Sequence, residues 1–204
     1  MPGMIEALEH RTLFTTVLPI VLTDMANVRA ADNTLVAHLN AGTLTYKTDL
    51  NALTRDLQRL NSNAANSGLL ATLKTQGNSS LNTLKSDING LAATISREMS
   101  KLLTDFRRVL RNPINTVAGA ALQNDVLRLE TDGPALQQKL TTDATSADQT
   151  KDADFAKIGS ANPSDTQTQT DVAKATTDSQ ALVTEAKSDL MNVAAALQQL
   201  FKPL

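Results

Sequence analysis

The two histidines are the first side chains to consider for metal chemistry, because this chain of 204 residues contains no cysteine. A metal site on a helix combines a histidine with a carboxylate or a second histidine on the same face. His38 has neither at a distance of three or four residues, and neither Glu6 nor Glu9 begins the Glu-x-x-His pattern of di-metal bundles. We therefore interpret His10 and His38 as solvent-exposed side chains and predict no metal ligand.

Three aspartates of the second half, Asp148, Asp152 and Asp154, suggest a site for a hard cation. A calcium loop requires oxygen ligands at alternating positions, a glycine for the sharp turn and a terminal bidentate acid. The segment around Lys151 and Phe155 supplies no such order. These aspartates are more typical of the solvated face of a loosely packed helix.

A basic stripe is the third candidate, and it consists of Arg97, Lys101, Arg108 and Arg111. On a helix these residues lie opposite the apolar side chains, where they could meet phosphate or an acidic partner. Glu98 and Asp105 lie nearby, however, and no aromatic residues interleave with the stripe to stack on bases. We interpret the stripe as a solvated face and predict no nucleic-acid partner, in agreement with the formal net charge of −2.

Nucleophilic catalysis has no clear candidate either. Serine and threonine are abundant, but no base stands where it could activate one of them. The sequence therefore predicts no catalytic residue, no cofactor-binding residue and no cofactor. We expect a protein that is not an enzyme.

A long apolar repeat is the strongest structural signal in the chain. Its residues are Leu81, Leu84, Ile88, Leu91, Ile95, Met99, Leu102, Phe106 and Val109. Alternating steps of three and four are typical of a helix that presents one apolar seam to partner helices. Because only 2% of the residues are aromatic, such seams must pack mainly through leucine, valine, isoleucine and alanine.

Similar spacing predicts three further helices. The predicted helices cover residues 33–60, 69–111, 114–158 and 165–201. The second is predicted to continue through Gly77 with a bend, and the third to stop and restart at residues 132–134, where glycine precedes proline. Turns are predicted at residues 61–68 and 159–165. Because short turns make consecutive helices antiparallel, we predict an all-α fold, namely an elongated antiparallel up-down four-helix bundle with coiled-coil-like packing.

Residues 1–31 differ from the helical domain predicted at 32–204, in which the first helix begins near Asp32. An apolar run interrupted by Pro19 is too short to span a membrane but suits a secretory signal, with cleavage before Ala31. Acidic residues precede the run where a signal would carry positive charge. The alternative is a hydrophobic strand or helix docked on the bundle.

The start of this segment resembles a known sorting motif. Leu8 to Thr15, L-E-H-R-T-L-F-T, looks like the LEPR-xLL type of motif at the N-terminus of many bacterial surface and exported proteins. His10 replaces the frequent proline, Phe14 the second leucine and Thr15 the usual serine. The resemblance covers about eight residues and implies export or surface association, but implies nothing about the domain that follows.

These observations predict an exported or cell-surface helical bundle that acts as a structural or protein-interaction module. Its expected partner is another protein or a second copy of the chain, with no transmembrane helix and with peripheral surface association as an option. Two alternatives remain open. The chain could be cytoplasmic, or it could be an amphipathic protein that coats a lipid or hydrophobic surface, because alanine and threonine dilute the apolar pattern of residues 140–180.

Overall fold

The computed structural model describes residues 18–60, 64–112 and 116–201. Its elements are α1 (Leu18–Arg59), α2 (Ala64–Thr72), a π-helical segment (Leu73–Gly77), α3 (Asn78–Arg111), α4 (Thr116–Ala161) and α5 (Thr166–Phe201). The described ranges contain no strand. The predicted all-α class is therefore confirmed.

Helix α1 begins earlier than the sequence predicted. The expected start near Asp32 is wrong, because residues 18–31 already belong to this helix of 42 residues. Pro19 lies in the first turn, where its missing amide hydrogen leaves no helical bond unmade. Val21, Met25 and Val28 then bury one face of the added turns. The motif at residues 8–15 and His10 lie outside the described residues.

The second predicted helix is largely confirmed, but it also begins early. Residues 64–68, predicted as part of a turn, are helical, and residues 61–63 lie outside the described ranges. Helical backbone then continues through Gly77 to Arg111, as predicted. The irregularity expected there is a π-helical segment, in which the hydrogen bonds span five residues instead of four.

Helix α4 contradicts the prediction of a broken helix. It is continuous over 46 residues and contains Pro134 in its interior. A proline removes one amide donor and weakens the helix locally, but the long helical stretches on both sides continue through it. The turn after α4 is shorter than predicted, since only residues 162–165 are non-helical.

Contacts divide the chain into two compact units. Among the described residues, the first unit combines 18–34, 90–112, 116–138 and 189–201, and the second combines 35–60, 64–89 and 139–188. In the first unit, the seam residues Leu91 to Phe106 are buried as the repeat predicts. At its end Leu110 is buried and Val109 only partly so, because a helix of 3.6 residues per turn drifts away from a 3.5-residue repeat.

The core of the second unit is built around leucines and two of the few aromatic residues. Its central cluster is Tyr46, Leu50, Leu53, Leu57, Leu73, Phe155, Ile158 and Ala175. The rings of Tyr46 and Phe155 are tilted by 47° with centroids 6.3 Å apart. These residues come from α1, the π-helical segment, α4 and α5, so the cluster holds four stretches of the chain together.

Candidate functional site

Polar side chains of α1 contact those of α5 and its N-cap at three places in the second unit. We call this set of contacts the α1–α5 polar seam. Its cross-helix pairs are His38 with Glu185 at 3.3 Å, Asp49 with Lys174 at 2.5 Å and Arg59 with Asp165 at 2.7 Å. As the numbers rise along α1 they fall along α5 at the same rate. The two helices are therefore antiparallel in this unit, with one register.

A close approach of the two helices lies within the same register. A Cβ atom added to Gly42 would collide with the side chain of Leu182. Glycine at this position lets the backbone of α1 come near α5. The apolar contact and the three polar pairs thus specify the same alignment.

Asp49 is the buried centre of the seam. Its side chain is only 4% exposed, and Lys174 reaches both Asp49 and, at 2.6 Å, Asp178 of its own helix. Burial raises the pKa of Asp49, and Asp178 adds to the rise, while Lys174 opposes it. One lysine therefore faces two carboxyl groups.

A buried lysine of α4 lies beside this centre. The ammonium nitrogen of Lys151 is 4.1 Å from the centroid of the Tyr46 ring, a distance typical of a cation–π contact. Burial, together with the negative charges of Asp154 and Asp49, raises the pKa of Tyr46. The phenol is therefore neutral at physiological pH, which makes it unsuitable as a general base.

Arg59 and Asp165 close the seam at the turn between α4 and α5. The guanidinium group donates to both carboxylate oxygens of Asp165, at 2.7 and 2.8 Å. The backbone amide of Thr168 donates to the same carboxylate at 2.8 Å, so Asp165 is the N-cap of α5. The hydrogen bond from Arg59 is the main reason that the pKa of Asp165 is lowered.

A pair of buried asparagines fixes α2 against this turn. Asn66 and Asn162 exchange two amide hydrogen bonds, of 3.0 and 3.1 Å. Asn66 also donates to the carbonyl of Leu60, and Asn162 donates to that of Ile158. Because each bond needs a partner in one position, the pair specifies how the segments meet.

In the first unit, the predicted solvated stripe is present, and buried acids lie beside it. Arg97, Lys101, Arg108 and Arg111 are exposed, as the sequence predicts. Glu98 nevertheless lies almost completely buried and accepts hydrogen bonds from Arg97 and Lys101. Burial raises the pKa of Glu98, but these two cations outweigh it and the pKa is lowered.

Asp125 of α4 differs from Glu98 in that its pKa is raised. Burial is the main cause of its raised pKa, and Asp105 and Glu98 contribute to the rise. Lys101 opposes the rise. The first unit thus also brings carboxyl groups together, on α3 and α4.

The remaining candidates are not assembled into one centre. Asp152 accepts a hydrogen bond from Gln180, Asp154 pairs with Lys157, and the side chain of Asp148 is not described. Among the side chains that the structure describes, no group of three histidine, cysteine or acidic residues could hold a metal ion.

The clefts among the described side chains include the following two. One, of about 270 Å³, lies between α1 and the π-helical segment over Leu50 and Leu73, which are both more than nine-tenths covered. The other, of about 410 Å³, is an open groove along the basic stripe of α3. Both are half-open or open to solvent, which limits how much of a small molecule they could enclose.

Sequence reasoning missed the partners of these polar residues, although it singled out some of them. His38 was interpreted as solvent-exposed, and it is partly exposed but pairs with Glu185 of another helix. Asp165 precedes a helix and is a preferred N-cap residue, which was the one local signal available. The spacing of residues within one helix does not indicate which residue of another helix a side chain will contact.

The described part of the chain is thus an all-α protein in which some of the polar side chains join different helices, as His38, Asp49 and Arg59 do. Among the described helices, none combines the length and the apolar character needed to cross a bilayer. Comparison with protein-family models, curated proteins and solved structures finds no match for the chain.

Proposed function

We propose that this chain is a non-enzymatic helical-bundle protein, exported or carried at the cell surface, that acts as a structural or protein-interaction module. The observation that carries the proposal is the α1–α5 polar seam. Its ion pairs and the asparagine pair bind segments of the chain to one another, so their chemistry serves alignment. A rigid helical module of this kind presents its outer faces to a partner or holds two partners apart.

The arrangement included in the proposal is an antiparallel up-down four-helix bundle with coiled-coil-like packing. The single register of α1 and α5 supports it, as does the four-residue connection between α4 and α5. Short connections favour antiparallel neighbours. The steps of three and four between buried residues of α3 are those of coiled-coil seams.

Export rests on the N-terminal resemblance at residues 8–15 and on the apolar run that follows it. Cell fractionation combined with mass spectrometry of the mature N-terminus tests this part. We expect the chain in the medium or envelope fraction of a bacterial host. Recovery in the cytoplasm with Met1 or Pro2 still present would contradict the export part of the proposal. It would not contradict the proposed helical bundle.

The module half of the proposal is tested on the purified chain. Sedimentation equilibrium, followed by cross-linking in intact cells and identification of the linked peptides, distinguishes self-association from a protein partner. We expect reproducible links from exposed helix faces to one partner or to a second copy. A monomer that forms no links at its native abundance would contradict the proposal.

A second candidate is a protein that coats a lipid or hydrophobic surface. Large apolar side chains that are at least two-fifths exposed favour it, and they are Ile20, Leu22, Leu44, Val117, Leu127 and Met191. Coating requires apolar surface to face the lipid. Flotation with anionic and zwitterionic liposomes tests it, and a chain that stays at the bottom of both gradients excludes it.

A further inference from the structure

A cleft in the second unit is lined by two lysines and two neutral hydrogen-bonding side chains. One wall is a single face of α1, because its lining residues follow the spacing i, i+3, i+4 and i+7. These residues are Lys47, Leu50, Asn51 and Thr54. The other wall consists of Leu73 and Lys74 of the π-helical segment. We call this site, of about 270 Å³, the lysine cleft.

Every polar side chain of the lysine cleft is a hydrogen-bond donor. The two lysines carry ammonium groups, Asn51 carries an amide and Thr54 a hydroxyl. Among the described side chains, those that line the cleft include no acid. A set of donors with two positive charges and no carboxylate favours an anion as the ligand.

The acids of this part of α1 lie on a different face of the helix. Asp49 and Asp56 each come two residues after a residue of the cleft, a step that turns a helix by about 200°. Both are buried, and their cationic partners are Lys174 and Arg59, respectively. Buried carboxylates therefore occupy one side of α1, and the lysine cleft occupies the other.

The floor of the lysine cleft is part of the hydrophobic core. Leu50 and Leu73 are both more than nine-tenths covered and belong to the cluster around Tyr46. Their positions are set before a ligand arrives, which reduces the ordering that binding requires. Because little of their apolar surface is exposed, a ligand must be held mainly through charge and hydrogen bonds.

The backbone of the second wall is irregular at the same place. Leu73 and Lys74 begin the π-helical segment, which lies between the α-helical stretches α2 and α3. Turns of this kind are rare, and they occur frequently at functional sites. The irregular backbone and the charged cleft are separate observations, and both point to Leu73 and Lys74.

We propose that the lysine cleft binds the phosphate group of a small phosphate ester. Such a group carries about −1.5 to −2 charges at pH 7 and three strong acceptor oxygens, which suits two ammonium groups and two neutral donors. Lysine binds phosphate as a point charge. At about 30 Å³ per water molecule, the cleft also has room for the organic part of a small ester. This site is independent of the export and of the protein partner proposed above.

Amide NMR of the full chain, titrated with glycerol phosphate, tests the proposal. We expect saturable shifts at the residues of the lysine cleft, and weaker binding at high salt, because exposed charges are screened. The basic stripe of α3 is an internal comparison, since Lys101 and Arg108 already donate to acids of their own helix. Equal shifts at the stripe and the cleft, or none at the cleft, would overturn the proposal.

Variants of the two lysines test the role of charge. Lys47→Gln and Lys74→Gln should each raise the dissociation constant about fivefold, as expected for an exposed charge pair. The matched control is Lys85→Gln, which removes an exposed lysine of α3 outside the cleft and should leave binding unchanged. An equal loss in the control would show general attraction of anions and would contradict the proposal.

A further variant separates the cleft from its charges. Asn51→Phe fills the cleft from the exposed face of α1 and retains both lysines. We expect it to abolish the saturable shifts while the circular dichroism and the urea midpoint stay unchanged. Undiminished binding by this folded variant would overturn the assignment to the cleft.

The choice of ligand tests the proposed chemistry. Glycerol, which lacks the phosphate group, should cause no shifts, and inorganic phosphate should bind at the same residues. A response to glycerol equal to that of glycerol phosphate would contradict recognition of phosphate. Vesicles that contain phosphatidic acid distinguish a lipid headgroup from a free ester, and binding to these vesicles alone would overturn the proposal.

Discussion

The buried pair of Asn66 and Asn162 allows the most direct energetic prediction. The two side chains are joined by two amide hydrogen bonds, and each makes a further bond to a backbone carbonyl. At about 0.5–1.5 kcal/mol net per hydrogen bond, the two shared bonds contribute about 1–3 kcal/mol. Truncating one asparagine also leaves the other amide buried without its partner, which costs about as much again.

We therefore expect Asn66→Ala and Asn162→Ala each to lower the free energy of unfolding by about 2–6 kcal/mol. The double variant should lose clearly less than the sum, because the second truncation removes an amide that is already without its partner. The coupling energy between the two sites should be about 1–3 kcal/mol. Urea unfolding of the four proteins, followed by circular dichroism, measures it.

The control for this cycle is Ser67→Ala, which changes an exposed neighbour of Asn66 and should shift stability by less than about 0.5 kcal/mol. Additive effects of the two asparagine substitutions, within about 0.5 kcal/mol, would refute the reasoning. They would mean that the two amides do not bind each other in solution.

Two further predictions concern the helix backbone. Gly42→Ala should destabilise the chain by about 0.5–2 kcal/mol net, because the collision of the new methyl group with Leu182 costs about 1–3 kcal/mol and the gain in helix propensity offsets only about 0.5–1 kcal/mol. Gly90→Ala meets no neighbouring atom and should stabilise by about 0.5–1 kcal/mol. Equal shifts of the two variants in thermal unfolding would contradict the close approach of α1 and α5. Pro134→Ala should stabilise α4 by up to about 3 kcal/mol and slow amide hydrogen exchange around residue 134, because it restores a donor within a continuous helix. A loss of stability would instead indicate that the helix is interrupted there.

The sequence could predict the helices because their main determinant is local. Steps of three and four between apolar residues, as in Leu91, Ile95 and Met99, specify which face of a helix is buried before its partner is known. Pro113 likewise predicts an end for α3 at Arg111, where the structure has it.

The helix boundaries that were predicted incorrectly at residues 64–68 and at Pro134 share one feature. Glycine, proline and asparagine were interpreted as breaks by their local preferences, at residues 64–68 and at Pro134. At residues 64–68 a contact with a distant part of the chain outweighs those preferences, because Asn66 is held by Asn162. Similarly, the buried face of Val21 and Met25 extends α1 through residues predicted to lie before the bundle.

The spacing of residues along the sequence could not predict the α1–α5 polar seam. Asp49 is an ordinary acid in the sequence, and its role depends on Lys174 and Asp178 of a helix far along the chain. Only the register of α1 and α5 brings these residues together. Once the pairing of two helices is known, however, opposite charges such as Arg59 and Asp165 can be sought at matching positions.

The register of α1 against α5 is the central claim, and intramolecular cross-linking measures it most directly. The chain has no cysteine, so His38→Cys combined with Glu185→Cys introduces one reactive pair, at side chains that lie 3.3 Å apart in the structure. The comparison pair, His38→Cys with Thr170→Cys, is displaced along α5 by about 22 Å at a rise of 1.5 Å per residue. We predict rapid linking of the first pair within a monomer by a short thiol-reactive reagent, and none of the second. Equal linking of both pairs, or linking of the second alone, would contradict the account.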